Sequence, residues 1–232
     1  MTFPQCEIVF EDEYLLVVNK RANLATMGVD HSKPSLVAEI RHYLQIKECD
    51  TRPFVGVVGR LDFPVCGLLV IAKNTEVAQS LNQQQKNGEF DKTYHALVSG
   101  RVATTTGNLV DWLLKSKRHR SVSVVAAETA GSQIAKLHYR ALCRRQATSL
   151  LSIGTQTGRK HQIRAQLNQF GHAILGDRKY GSQYEFPAGI ALICKQIRFT
   201  HPITRLPFAG EISYPRRWYA SIHWPRMTGF CD

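Results

Sequence analysis

Short apolar runs broken by polar and turn-forming residues fill most of this chain, the pattern of strands more than of long helices. Glu7-Ile8-Val9-Phe10 and Tyr14-Leu15-Leu16-Val17-Val18 are β-prone and separated by Glu11-Asp12-Glu13, which predicts two strands around a turn. Residues 19–24 leave the second strand as a loop. From Ser35, read as an N-cap, Leu36, Val37, Ile40 and Leu44 fall on one helical face. Residues 54–58 and 67–72 read as strands. Thr75 is expected to cap a polar helix over residues 76–87, with Gly88 just past its end. Residues 94–98, 137–142 and 148–153 read as strands. Residues 108–114 form a short amphiphilic stretch, and residues 121–137 have the mixed content of strands and loops. The clearest helix spans residues 160–170, with Ile163, Leu167 and Phe170 on its apolar face and Gly171 to end it. Residues 188–194 and 196–200 are late strands, stopped by His201-Pro202. Strands without a repeating βαβα order predict an α+β fold: a large, mainly antiparallel mixed sheet with flanking helices.

The chain has 232 residues, enough for one large domain or two small ones. It has no internal repeat, low-complexity tract or obvious linker, so residues 1–232 are read as a single domain. No apolar run has the length of a membrane span, and the N-terminus lacks the basic-then-apolar order of a secretory signal. The six cysteines are scattered with no CxxC pair, which argues against a zinc site and for a reducing, cytoplasmic setting. Charge changes the picture most. Thirty Lys and Arg oppose eighteen Asp and Glu, a net charge of +12, and this points to a polyanionic partner, most often nucleic acid.

Four stretches carry candidate chemistry. In Gly59-Arg60-Leu61-Asp62-Phe63-Pro64-Val65-Cys66-Gly67, a lone carboxylate lies between two apolar runs. Pro64 and Gly67 make the segment a turn, so Asp62 is either an ordinary turn residue bonding its own backbone or a reactive group at a strand mouth. Thr157-Gly158-Arg159-Lys160-His161-Gln162-Ile163-Arg164 leads into the clearest helix; a helix start with Arg159, Lys160 and His161 suits phosphate. Arg164 falls at the edge of that helix's buried face, either snorkelling to water or paired with a carboxylate such as Asp62. Tyr94 shares a strand face with Ala96 and Val98, as core with its hydroxyl at the rim or as a platform for a base. The run Lys115-Ser116-Lys117-Arg118-His119-Arg120 is a solvated loop or a grip on phosphates. No HExxH, P-loop, dinucleotide fingerprint or Gly-x-Ser-x-Gly elbow is present, which implies no metal and no cofactor.

Taken together these stretches resemble the RluA-type pseudouridine synthases. The resemblance runs through residues 8–24, Arg60-Leu61-Asp62 with Gly67-Leu68-Leu69-Val70, Lys92-Thr93-Tyr94, Thr157-Gly158-Arg159 with His161-Gln162-Ile163-Arg164, Gly176-Asp177, Tyr180-Gly181 and Phe199-Thr200-His201-Pro202. It implies an RNA-modifying isomerase that turns uridine into pseudouridine in structured ribosomal or transfer RNA, with Asp62 in a central cleft between two subdomains. By resemblance Asp62 is the catalytic aspartate, Tyr94 stacks on the uracil and joins in proton transfer, and Arg164 pairs with Asp62. Arg60 helps displace the base. Ile163 and Leu192 or Ile193 form the apolar wall, while Lys115, Lys117, Arg118, Arg120, Arg159, Lys160 and His161 hold RNA. The expected protein is a cytoplasmic monomer with no cofactor and no membrane partner. With the first matching strand at Ile8, no separate S4-type RNA-binding domain is expected ahead of it. The family usually has His at position 59, Thr-Ser at 65–66, Pro at 21 and Gly at 23; here Gly59, Val65-Cys66, Arg21 and Asn23 stand instead. A non-catalytic RNA-binding protein on the same scaffold is the alternative those changes raise, and a hydrolase using a lone Asp is another.

Overall fold

The segment Cys66–Ala72 is a strand buried at every residue. An unbroken apolar run of this kind is covered on both faces. The computed structural model describes residues 6–28, 34–49, 51–116, 121–216 and 218. Its strands are β1 (Glu7–Glu11), β2 (Leu15–Lys20), β3 (Gly56–Val58), β4 (Cys66–Ala72), β5 (Asp91–Ser99), β6 (Thr106–Lys115), β7 (Val122–Val125), β8 (Gln133–Arg144), β9 (Thr148–Thr155), β10 (Leu192–Thr200) and β11 (Pro207–Glu211). Named among the described residues are the helices α1 (Leu36–Glu48), α2 (Thr75–Asn87) and α3 (Gln162–Gln169), and a 3₁₀ turn at Arg178–Tyr180. All eleven strands form one sheet, in the order β1-β2-β4-β10-β5-β9-β8-β6-β7, with β11 on β10 and β3 on β4. The β4–β10 pair is parallel and the others are antiparallel. This is the α+β fold with a mainly antiparallel mixed sheet that the sequence predicts.

Several boundaries differ from expectation, each for a local reason. The strand expected over residues 54–58 is reduced to β3, because Gly56 already pairs with Ala72, where β4 ends. The cap of α2 is Asn74 rather than Thr75: from extended backbone its side chain accepts a hydrogen bond from the Val77 N–H at 2.9 Å. Gly88 ends α2 in the left-handed conformation (φ 77°), as expected. The amphiphilic stretch over residues 108–114 is the alternating strand β6. The two late strands are one strand, β10, whose register skips between Cys194 and Gln196, so a bulge replaces the expected break. The clearest helix is shorter than residues 160–170, since His161 is left-handed (φ 53°) and holds Lys160 and itself outside α3.

The parallel β4–β10 contact positions the chemistry. Cys66 lies opposite Ile193 and Gly67 opposite Cys194, while Cys194 also faces Tyr94 on β5. The turn before β4, the start of β10 and the middle of β5 thus converge. Gly67 makes the approach possible. It has φ 118°, and a Cβ there would stand 2.5 Å from the Cys194 nitrogen, closer than packing permits. Among the described residues, no helix is long and apolar enough to cross a membrane. Gly67→Ala is expected to cost about 3 kcal/mol, the range of an overpacked core with added backbone strain. A urea melt should show the loss as a lower midpoint.

Candidate active site

The Asp62 turn is pinned from beneath. Its carbonyl accepts from the Val65 N–H at 3.0 Å, and the Pro64 carbonyl accepts from Ile190 at 3.2 Å. The Thr26 hydroxyl donates to the Leu61 carbonyl at 2.7 Å. Lys20, at the end of β2, is fully buried and donates to the carbonyls of Arg21 (3.0 Å), Leu24 (2.8 Å) and Phe63 (3.4 Å). One ammonium therefore ties the loop after β2 to the turn that carries Asp62. Burial pushes the Lys20 pKa down to about 8.

Arg164 joins the turn to α3. The helix buries Gln162, Ile163, Arg164, Ala165, Gln166 and Leu167, so Arg164 lies inside the protein rather than at the edge of an apolar face. Its Nη1 donates to Asp62 Oδ2 at 3.0 Å. Its Nε and Nη2 form a fork on Asp177, at 2.7 and 2.9 Å. The guanidinium carbon sits 4.8 Å from the centre of the Tyr180 ring, within cation–π range. Burial opposes the charge on Arg164, but the Asp177 hydrogen bonds and the charges of Asp177 and Asp62 outweigh it and raise its pKa. Asp177 is 1% exposed and Asp62 25%. One carboxylate anchors the guanidinium in the core, and the other meets it at the cleft.

The cleft itself, about 110 Å³, is lined by Arg60, Leu61, Asp62, Val65, Tyr94, Thr155, Thr157, Gly158, Arg159, His161, Gln162, Ile163, Arg164 and Leu192. Tyr94 comes from β5 and packs against the core. Burial, with smaller contributions from Cys194 and the Asp62 charge, drives its pKa well up, so the phenol keeps its proton. Val65, Ile163 and Leu192 supply apolar wall. His161 Nδ1 lies 2.7 Å from the Tyr180 hydroxyl, and its Nε2 lies 3.8 Å from Asp62 Oδ2.

Of the expected site residues, Asp62, Tyr94, Arg164, Arg60, Ile163, Leu192, Arg159 and His161 meet at this cleft. Ile193 does not. It is fully buried between β4 and β5, because successive residues of a strand face opposite ways and Leu192 takes the cleft side. Lys160 is absent from the lining. Lys115 is exposed at the end of β6, away from the cleft lining, and Lys117, Arg118 and Arg120 lie outside the described residues. Sequence reasoning gave no role to Asp177 or Tyr180. The usable signal was chemical: a buried guanidinium has five N–H groups, and Asp62 satisfies one of them. Where the family has a His side chain, Gly59 is left-handed (φ 75°) and the Lys92 ammonium and Gln85 amide crowd the space a Cβ would take.

The two carboxylates should separate in a stability measurement. Asp177→Ala strands the guanidinium in the core and should cost about 3–5 kcal/mol. Asp62→Asn leaves the Asp177 fork intact at a more exposed position and should cost under about 1 kcal/mol. Urea unfolding of both variants checks the difference.

Comparison with known proteins gives the family. The family model described as RNA pseudouridylate synthase matches residues 14–169. The tRNA pseudouridine synthase C of Vibrio cholerae serotype O1 is 29% identical over 231 residues, covering 91% of this chain and 92% of its own length. The dual-specificity RNA pseudouridine synthase RluA of Vibrio vulnificus is 30% identical over 208 residues, covering 87% and 80%. Among solved structures, human RNA pseudouridylate synthase domain containing 4 superposes with a TM-score of 0.78 at 18% identity, covering 94% of this chain and 92% of that one, a likeness of fold. The chain belongs to the RNA pseudouridylate synthases, to the RluA-type members of that family.

Proposed function

We propose that this protein isomerises uridine to pseudouridine in structured RNA, ribosomal or transfer, as a single cytoplasmic catalytic domain acting as a monomer, with Asp62 as its essential carboxylate. One observation carries the reading: in a chain of this family, the Asp62 carboxylate is anchored through Oδ2 by Arg164 at the floor of a cleft that Tyr94 also lines. Fixing one oxygen leaves Oδ1 to face a substrate.

The chemistry asks for little else. Uracil must leave C1′, turn and rejoin through C5, with no redox change and no group supplied from outside. Oδ1 serves either route to the free base, attack at C1′ or removal of the C2′ proton to give a glycal. Tyr94 stacks on the base, and its protonated hydroxyl is a donor. Leu192, Ile163 and Val65 exclude water beside it. Arg60, exposed at the mouth, takes the place of the base drawn from its stack, a step that costs a few kcal/mol. Arg159 and Lys160 hold phosphates near the start of α3, and the net charge of +12 draws in the polyanion.

Asp62→Asn is expected to lower pseudouridine formation more than about 1000-fold, some 4 kcal/mol of barrier. RNA binding should stay within about threefold, since the phosphate contacts are untouched. Mass spectrometry of digested RNA and a filter-binding assay measure the two. Release of free uracil would point to a hydrolase instead. RNA binding with no pseudouridine from wild type on any cellular RNA would favour a binding protein on this scaffold.

A further inference from the structure

His161 has its own geometry at the cleft, distinct from a phosphate contact. Its backbone is left-handed (φ 53°), which costs a non-glycine residue about 1 kcal/mol or more, and its ring lines the cleft beside Asp62. The Tyr180 hydroxyl is placed to give its proton to one ring nitrogen, Nδ1. The Tyr180 oxygen accepts the Val122 N–H at 3.0 Å and lies 2.7 Å from His161 Nδ1. A phenol has one proton, and with Val122 already donating to its oxygen that proton has Nδ1 as its acceptor. A neutral imidazole with a bare Nδ1 carries its hydrogen on Nε2. Burial pushes the His161 pKa down to about 4; the Asp62 charge opposes this, while Arg164, Lys160 and Lys179 reinforce it. The ring is therefore neutral near pH 7. Its Nε2 is 3.8 Å from Asp62 Oδ2, too far for a hydrogen bond, so the N–H is available beside the carboxylate.

We propose that His161 is a catalytic residue: a neutral donor, locked in the Nε2–H tautomer by Tyr180, that binds a uracil carbonyl oxygen while the base is detached from C1′. This rests on the pseudouridine reading above. When the C1′–N1 bond breaks, its electron pair leaves with uracil, and negative charge spreads over N1 and the carbonyl oxygens. The base then forms the C5–C1′ bond with a ring electron pair. C5 afterwards loses its proton and N1 gains one, so atoms and charge balance with no outside reactant. A donor that keeps its proton stabilises the anion without quenching it. An imidazolium in the same place would hand over its proton and remove the nucleophilicity that C5 needs. A preoriented N–H acting on developing charge is the arrangement that lowers such a barrier.

Three measurements on the full chain test this. His161→Ala should lower kcat about 100-fold, the size of one lost donor to a developing anion, with the Kd for RNA unchanged. His161→Gln, whose amide N–H reaches the same place, should recover most of that loss. Ring ¹⁵N shifts of wild type should show a protonated Nε2 and a bare Nδ1 throughout pH 6–8. The proposal is overturned if His161→Ala keeps kcat, if the loss falls on RNA affinity instead, if Ala and Gln are equally inactive, or if the ring titrates between pH 6 and 8. A wild type that makes no pseudouridine defeats the parent reading, whereas an active wild type with an equally active His161→Ala defeats this one alone.

Discussion

Everything at the cleft depends on one buried guanidinium. A charge in the core is tolerated when its hydrogen bonds are met, and Arg164 meets that condition with a fork on Asp177 and a single bond to Asp62. The arrangement is asymmetric by design of burial. Asp177 is sealed in and fixes the guanidinium, which then has a direction, and that direction sets which oxygen of Asp62 is occupied. Tyr180 lies against the same guanidinium and reaches His161. One ion pair thus orders a carboxylate, a phenol and an imidazole together.

The turn bearing Asp62 needs a second support, because a carboxylate held by one hydrogen bond would otherwise wander. Lys20 supplies it from the sheet side, bonding carbonyls on both loops, and Gly67 lets β4 close against β10 directly behind the turn. Several residues where this chain departs from the family's usual pattern sit in that frame: the Arg21 carbonyl accepts from Lys20, the Val65 N–H donates to the Asp62 carbonyl, and Cys66 pairs with Ile193. Gly59 leaves a space filled by Lys92 and Gln85, and Val65 turns apolar surface into the cleft. Arg60, Asp62, Tyr94 and Arg164 all the same converge on the cleft.

Much of this was legible in the sequence. Hydrophobic alternation and turn residues identify most strands, Gly88 marks the end of its helix, and the motif order points to Asp62, Tyr94 and Arg164. What was not legible depends on contacts across the chain. Asp177 lies thirteen residues beyond Arg164, past the end of α3, and only the fold brings it back under the guanidinium. Leu192 and Ile193 are equally apolar, and which one faces the cleft depends on the register of β10 against β4 and β5. Lys20 reads as a loop residue, yet lies fully buried because its charge finds three carbonyls. The start of α3 was misjudged because nothing local signals that His161 takes the left-handed conformation.

Whether this cleft forms pseudouridine is tested by a transcriptome-wide and ribosomal map of the modification in cells with and without the protein. If it does, one or a few uridines in structured ribosomal or transfer RNA lose the modification when the protein is absent and regain it when it is restored. Identical maps in the two cells, with the protein present and folded in one, would contradict that reading.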